Sequence, residues 1–170
     1  MRQTVVLVDD EPNVTAALKR RMRNEPYEVL MASSAREALT LFENQRIDLI
    51  ISDEQMPGMK GSELLALVNQ RYPETIRMIL TGHASLDSAI RAINEGEIYR
   101  FFVKPCNEVD LIFSVRHALQ QKALAEENVA LKQEIKQKDA LLTRLERENP
   151  GISRVDTDDE GAVVIDASEV

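Results

Sequence analysis

A single cysteine, Cys106, stands in a chain of 170 residues, so no internal disulfide framework is available, and the sequence fits a reducing compartment. Basic residues are in the minority: 21 Lys and Arg against 29 Asp and Glu leave a formal net charge of −8. A general nucleic-acid binder carries the opposite balance, so direct DNA binding is not expected. No apolar run approaches the ~20 residues a membrane-spanning helix requires. The N-terminus begins as a strand pattern rather than as a charged segment leading into an apolar stretch. No signal peptide and no membrane partner are therefore expected, and the expected location is cytoplasmic. His83 and His117 lack partners at metal-ligand spacing. Glycine and proline are missing between Asn107 and Pro150. That gap removes the usual helix stops and predicts one helix of about 42 residues, about 60 Å long at 1.5 Å per residue.

The rest of the chain is well supplied with apolar residues, 44% of the whole, which is ordinary for a folded protein. Apolar runs alternate with amphipathic stretches as far as about residue 119. The expected strands are 4–8, 27–32, 47–52, 76–81 and 98–103; the expected helices are 12–23, 35–44, 62–71, 86–95 and the long one from near 108. Such alternation implies βαβ units and a parallel sheet. Pro12 suits a first helical turn. Ser34 with Glu37 reads as a capping box, and Ser85, Gly96 and Asn107 read as helix ends. The strand 27–32 mixes the periods of strand and helix.

Four of the apolar runs end in polar groups. Val5-Val6-Leu7-Val8 leads into Asp9-Asp10, Leu49-Ile50-Ile51-Ser52 into Asp53, Met78-Ile79-Leu80 into Thr81-Gly82, and Phe102-Val103 into Lys104-Pro105. In an open parallel sheet, the C-terminal ends of the strands share the edge at which sites form. Three carboxylates, a hydroxyl and a lysine are thereby expected in one pocket. That donor set suits a divalent cation and transfer of a phosphoryl group onto a carboxylate. Asp9-Asp10-Glu11-Pro12, Ser52-Asp53-Glu54-Gln55-Met56-Pro57-Gly58, Thr81-Gly82 and Lys104-Pro105 together resemble the receiver domain of two-component response regulators, in order and spacing, over residues 1 to about 119.

The resemblance implies a flavodoxin-like, five-stranded parallel sheet of order 2-1-3-4-5. It implies that Asp53 accepts a phosphoryl group from a phosphohistidine on a sensor histidine kinase or phosphotransfer protein. Mg²⁺ (or Mn²⁺) would be held by Asp10, Asp53, the backbone carbonyl of Gln55 and Asp9, with Thr81 and Lys104 as the catalytic pair. A cis Lys104–Pro105 bond is implied, and so is a switch made of Thr81 and Phe101, with Phe101 turning inward in the active state and Tyr99 the lesser candidate. The physics supports a cation. Two unit charges ~4 Å apart repel by about 1 kcal/mol in water and about 4 kcal/mol at an effective dielectric of 20, so the acids need neutralising before a phosphate can approach. Gln55 and His83 lie two residues after Asp53 and Thr81, where the resemblance places neighbours of the hydrolysing water.

Beyond the receiver a heptad emerges with Gln121 at a. Its core positions are Leu124, Asn128, Leu131, Ile135, Leu142 and Leu145, and Lys138 interrupts one d site. A buried Asn at a favours a parallel two-stranded coiled coil, and a polar helix with one apolar seam is marginal alone. A parallel homodimer is expected; a solvated single helix is the alternative. Asn149-Pro150-Gly151 ends the helix, and the acidic remainder reads equally as a disordered tail or as a small hairpin. The expected organisation is thus a receiver at 1–119, a coiled-coil extension at 120–149 and a tail at 150–170.

No output module is recognisable, so output by contact with an unknown downstream protein is expected. Residues 95–102 resemble receivers fused to cyclic-dinucleotide phosphodiesterases. Two other function classes stand beside the signalling switch. A phosphatase of the haloacid dehalogenase type also uses an Asp nucleophile, but needs Asp-x-Asp on the first strand, where this chain has Asp9-Asp10. A scaffold whose receiver no longer signals would not need Asp53, Thr81 and Lys104 together. Lys19-Arg20-Arg21 and Arg23 form a basic stretch on the first helix that reads as a solvated face.

Overall fold

A computed structural model describes residues 2–82 and 98–148. The helix expected over 86–95, together with Ser85, Gly96 and His83, lies outside the described residues, as does the tail from 149 onward. Five strands, β1 (Thr4–Val8), β2 (Glu28–Ala32), β3 (Leu49–Asp53), β4 (Ile76–Thr81) and β5 (Arg100–Val103), form one sheet of order β2-β1-β3-β4-β5. Every pairing is parallel. The described helices are α1 (Pro12–Arg21), α2 (Ala35–Asn44), α3 (Gly61–Arg71) and a long α4 (Glu108–Glu148). The chain divides into two compact units, residues 1–122 and 123–170.

Strand periodicity sorts the core into two layers. Val5, Leu7, Leu49, Ile51, Met78 and Leu80 face one way, against Leu18 and Met22 of the α1 region and Leu111, Val115, Ala118 and Leu119 of α4. Val6, Val8, Ile50 and Ile79 face the other way, against Ala35, Ala38 and Phe42 of α2 and Leu64, Leu65 and Val68 of α3. Burial on both faces explains the near-continuous apolar strands. The mixed period at 27–32 also has a reason. β2 is an edge strand on which Val29 and Ala32 are buried while Glu28 and Met31 are exposed.

Local details refine the boundaries. α1 stops at Arg21 rather than 23, and Asp53 is itself the last residue of β3. Ser34 Oγ accepts from Glu37 N–H, but the Glu37 carboxylate turns back one residue further than a capping box requires, accepting from the Ser33 amide and hydroxyl. Asn107 caps α4 through Val109 N–H. α4 is one helix of 41 residues. Its Leu111 and Val115 are buried, whereas Leu124, Asn128, Leu131, Ile135 and Leu142 are exposed and Leu145 is half-buried. Lys138, the d-site interruption, pairs with Glu134 one turn back at 2.7 Å. No described helix is long and apolar enough to cross a membrane.

Candidate functional site

The register of the sheet puts the ends of β1, β3, β4 and β5 side by side: Val8 pairs with Ser52, Asp53 with Leu80, and Thr81 with Val103. Asp9 and Asp10 follow β1 directly, Asp53 and Thr81 close β3 and β4, and Lys104 follows β5. Among the described residues, Asp9, Asp10 and Asp53 form a carboxylate cluster whose ligand oxygens all lie within 4.8 Å of one another. Asp9 and Asp53 are buried and Asp10 is exposed.

Lys104 Nζ bridges the two buried acids, 2.9 Å from Asp9 Oδ2 and 2.7 Å from Asp53 Oδ1. The remaining oxygens are held in the same fashion on both sides. Glu11 N–H donates to Asp9 Oδ1 and Gln55 N–H donates to Asp53 Oδ2, each at 2.9 Å. Each acid thus sits in an Asx turn, with one oxygen on a backbone amide and one on the ammonium. Partial burial would lower the Lys104 pKa, but the hydrogen bonds and charges of Asp53 and Asp9 outweigh it and hold the ammonium above its ordinary value. Lys104 is therefore charged throughout the neutral range. Its backbone N–H is fixed by Thr81 O at 2.8 Å, and the Lys104–Pro105 peptide bond is cis.

The loop from β3 to α3 forms the opposite wall. Met56 is buried into the α2–α3 layer, and Gly58 takes the left-handed region at φ 85° that lets the loop reverse. Glu54, although adjacent to Asp53, does not belong to the acid cluster. Its carboxylate accepts from the Ser62 amide at 2.8 Å and the Ser62 hydroxyl at 3.0 Å, at the N-terminus of α3. Asp10 of the cluster, with Glu54, Gln55, Met56, Pro57, Lys60 and Thr81, lines an open cleft of about 590 Å³. Three hard oxygen donors converging beside an open cleft fit a small divalent cation such as Mg²⁺, which retains water and takes few protein ligands.

The structure therefore brings Asp9, Asp10, Asp53, Lys104, Thr81 and the Gln55 backbone to one edge. Phe101 is half-buried on β5 against the α2–α3 layer. Tyr99 is exposed, with its hydroxyl 3.4 Å from His117 Nδ1. Cys106 is half-buried against the α1–α4 layer, and burial pushes its thiol up, which disfavours a reactive thiolate. The two backbone donors, Glu11 N–H and Gln55 N–H, were not singled out in the sequence. An aspartate with a free amide two residues on was the signal available.

Comparison with known proteins agrees with this geometry. A family model for the response regulator receiver domain matches residues 5–116. The hydrogenase transcriptional regulatory protein HoxA of Cupriavidus necator is 38% identical over 121 residues, covering 71% of this chain and 25% of HoxA. The response regulator protein FleR of Pseudomonas aeruginosa is 34% identical over 150 residues, covering 86% of this chain and 32% of FleR. A match of that length takes in most of α4 as well as the sheet. The chain spans about a quarter to a third of the length of these relatives. Among solved structures, the signal receiver domain of an HD domain-containing protein from Pseudomonas fluorescens Pf-5 superposes with a TM-score of 0.67 at 37% identity, covering 72% of this chain and 98% of that one.

Proposed function

Because the chain belongs to the response regulator receiver family, we propose that Asp53 is its phosphoacceptor and that phosphorylation switches a protein-contact surface. The observation that carries this reading is the meeting of Asp53 with Asp9, Asp10 and Lys104 at one sheet edge. The donor is a phosphohistidine on a sensor kinase or phosphotransfer protein. A carboxylate oxygen of Asp53 attacks phosphorus, the P–N bond breaks, and its electron pair returns to the leaving imidazole. Asp9, Asp10, Asp53 and the Gln55 carbonyl would hold Mg²⁺ or Mn²⁺. When bound, the ion neutralises the acids and polarises the phosphoryl oxygens.

The chain's own groups supply the remainder. Gln55 N–H orients the acceptor carboxylate, as the 2.9 Å contact indicates. Lys104 neutralises Asp53 before transfer and pairs with a phosphoryl oxygen afterwards, acting as a preorganised point charge. The Thr81 hydroxyl donates to another phosphoryl oxygen. Movement of Thr81 toward the phosphate vacates space beside β5 and allows Phe101 to turn inward, remodelling the β5–α4 face. At most the protein catalyses its own phosphorylation and dephosphorylation.

The helix from Ala123 on pairs with a second copy as a parallel coiled coil. The exposed Leu124, Leu131, Ile135 and Leu142 support this reading, since an apolar seam without a partner is costly on a lone helix. A double substitution, Leu131→Asp with Ile135→Asp, is expected to sediment as a monomer where the wild type sediments as a dimer. The phosphoacceptor assignment is tested by mass spectrometry after incubation with acetyl phosphate and Mg²⁺. The wild type gains one phosphate and Asp53→Asn gains none. An unmodified wild type would leave a non-signalling scaffold, and steady turnover of a phosphomonoester would favour a phosphatase.

A further inference from the structure

α3 begins at Gly61, a buried residue whose backbone lies hard against the end of β3. A Cβ placed there would stand 2.0 Å from the carbonyl oxygen of Asp53, 2.8 Å from its carbonyl carbon and 3.0 Å from Glu54 Cα. All three are backbone atoms, of Asp53 at the end of β3 and of Glu54 just after it, so no side chain can rotate away to make room. The strand end is also clamped from its other side, because Glu54 N–H donates to Leu80 O of β4 at 2.8 Å. α3 cannot withdraw freely either. Leu64, Leu65 and Val68, one and two turns along it, are completely buried under the sheet. Two further ties seat the start of the helix: Gly61 N–H donates to Glu54 O at 3.1 Å, and the Glu54 carboxylate accepts from Ser62.

We propose that Gly61 is a positioning residue for Asp53: only a residue without a side chain lets α3 seat against the acceptor's carbonyl and so fixes where its carboxylate and the Gln55 amide point. This inference rests on the reading of Asp53 as phosphoacceptor and adds to it a residue that touches neither phosphate nor metal. Any relief of the clash must move Asp53 and Glu54, and with them the 2.9 Å contact between Gln55 N–H and Asp53 Oδ2. Displacements near 1 Å cost phosphoryl transfer about a hundredfold, and disturbed support of a ligand carboxylate weakens metal affinity about tenfold or more.

The test compares wild type, Gly61→Ala and Val115→Ala, the last a core truncation in the opposite layer that destabilises without touching the strand end. Mn²⁺ affinity is read from the free-ion electron paramagnetic resonance signal, and phosphate uptake from acetyl phosphate by mass spectrometry. Gly61→Ala is expected to bind Mn²⁺ about tenfold more weakly and to take up phosphate about a hundredfold more slowly, with Val115→Ala unchanged in both. Wild-type values for Gly61→Ala, or equal losses in Val115→Ala, overturn the proposal. Should Gly61→Ala fail to fold, Ser62→Ala withdraws the hydroxyl tie on Glu54 without adding an atom, and unchanged Mn²⁺ affinity there counts against it. Failure of the underlying reading looks different: wild type takes up no phosphate, while Gly61→Ala still shifts the Glu54 and Gln55 amide resonances. Unshifted amides in a folded Gly61→Ala overturn the positioning role itself.

Discussion

The two ends of β3 each carry an aspartate held by a lysine from a distant part of the chain, and the two pairs serve opposite purposes. At the C-terminal end, Asp53 shares Lys104 with a second buried acid, beside an exposed third, at the mouth of an open cleft. Immediately before the N-terminal end, Asp48 meets Lys122 of α4 at 2.9 Å, and both side chains are about nine-tenths buried. Asp48 Oδ2 also accepts from Thr4 N–H, and its backbone joins Thr4 O and Ile76 N–H, tying the starts of β1 and β4 together. One lysine thus faces excess negative charge that a cation or a phosphate can rearrange. The other ties down a single acid that also has Arg46 Nε at 3.3 Å and the Thr4 amide, so no excess negative charge remains there. A carboxylate–ammonium pair reads as a functional site when negative charge is in excess and the site is open, and as a structural tie when its one acid is buried and fully countered.

The largest expected effect separates the ends by chemistry. Asp53→Asn abolishes phosphate uptake, whereas Asp48→Asn folds less stably but keeps its uptake rate once corrected for the folded fraction. Loss of uptake in both would mean that the strand works as one unit. The next effect separates them by stability. Lys122→Met removes the buried partner of Asp48 and leaves it the Thr4 amide and the exposed Arg46, 3.3 Å away, and is expected to cost about 3 kcal/mol in urea unfolding, the lower end for a broken buried pair. Lys104→Met also takes the ammonium from two buried acids, but beside an open cleft, so added Mg²⁺ should recover stability there and not in Lys122→Met.

Divalent cation sharpens the contrast further. Mg²⁺ at ten times its dissociation constant should stabilise the wild type by about 1.4 kcal/mol. The same addition should leave Asp53→Asn nearly unmoved, and Asp48→Asn should respond like the wild type.

The pH dependence is the smallest effect and has opposite signs at the two ends. Burial would raise the Asp48 carboxyl, but the Lys122 and Thr4 hydrogen bonds overcome it and set the pKa below the ordinary value. Its contribution is therefore present at neutral pH and lost on acidification through that lowered value. Lys104 is raised, so its contribution holds at neutral pH and is lost as the medium turns alkaline beyond its ordinary range. Acid melting curves should flatten in Asp48→Asn, and alkaline ones in Lys104→Met.

These differences also explain what could be read from the chain. Asp9, Asp53, Thr81 and Lys104 announce themselves because each follows an apolar run, and parallel strands bring such ends together whatever lies between them. The same alternation implies a parallel sheet, while its order was legible only through the family resemblance that the four motifs carry. Asp48 and Lys122 carry no such mark. One was absorbed into the expected strand 47–52, the other into an unremarkable b position of the heptad, and only the packing of α4 on the sheet joins them. Gly61 escaped for a related reason. A glycine just before the expected helix 62–71 looks like an ordinary breaker, and its closeness to Asp53 depends on how α3 is seated. The capping box at Ser34 was half legible, since the local spacing is right while the carboxylate's choice of Ser33 depends on the rotamer.

The unbroken backbone of α4 limits how this chain can be altered. With no glycine or proline between Asn107 and Pro150, no joint is available to absorb an added or deleted residue. Within the helix, each insertion after Lys122 would turn the apolar seam that begins at Leu124 by about 100° about the helix axis and shift it by 1.5 Å along it. Chimaeras that graft another module onto this helix should then work or fail with a periodicity of about seven residues, a phase rule rather than a length rule.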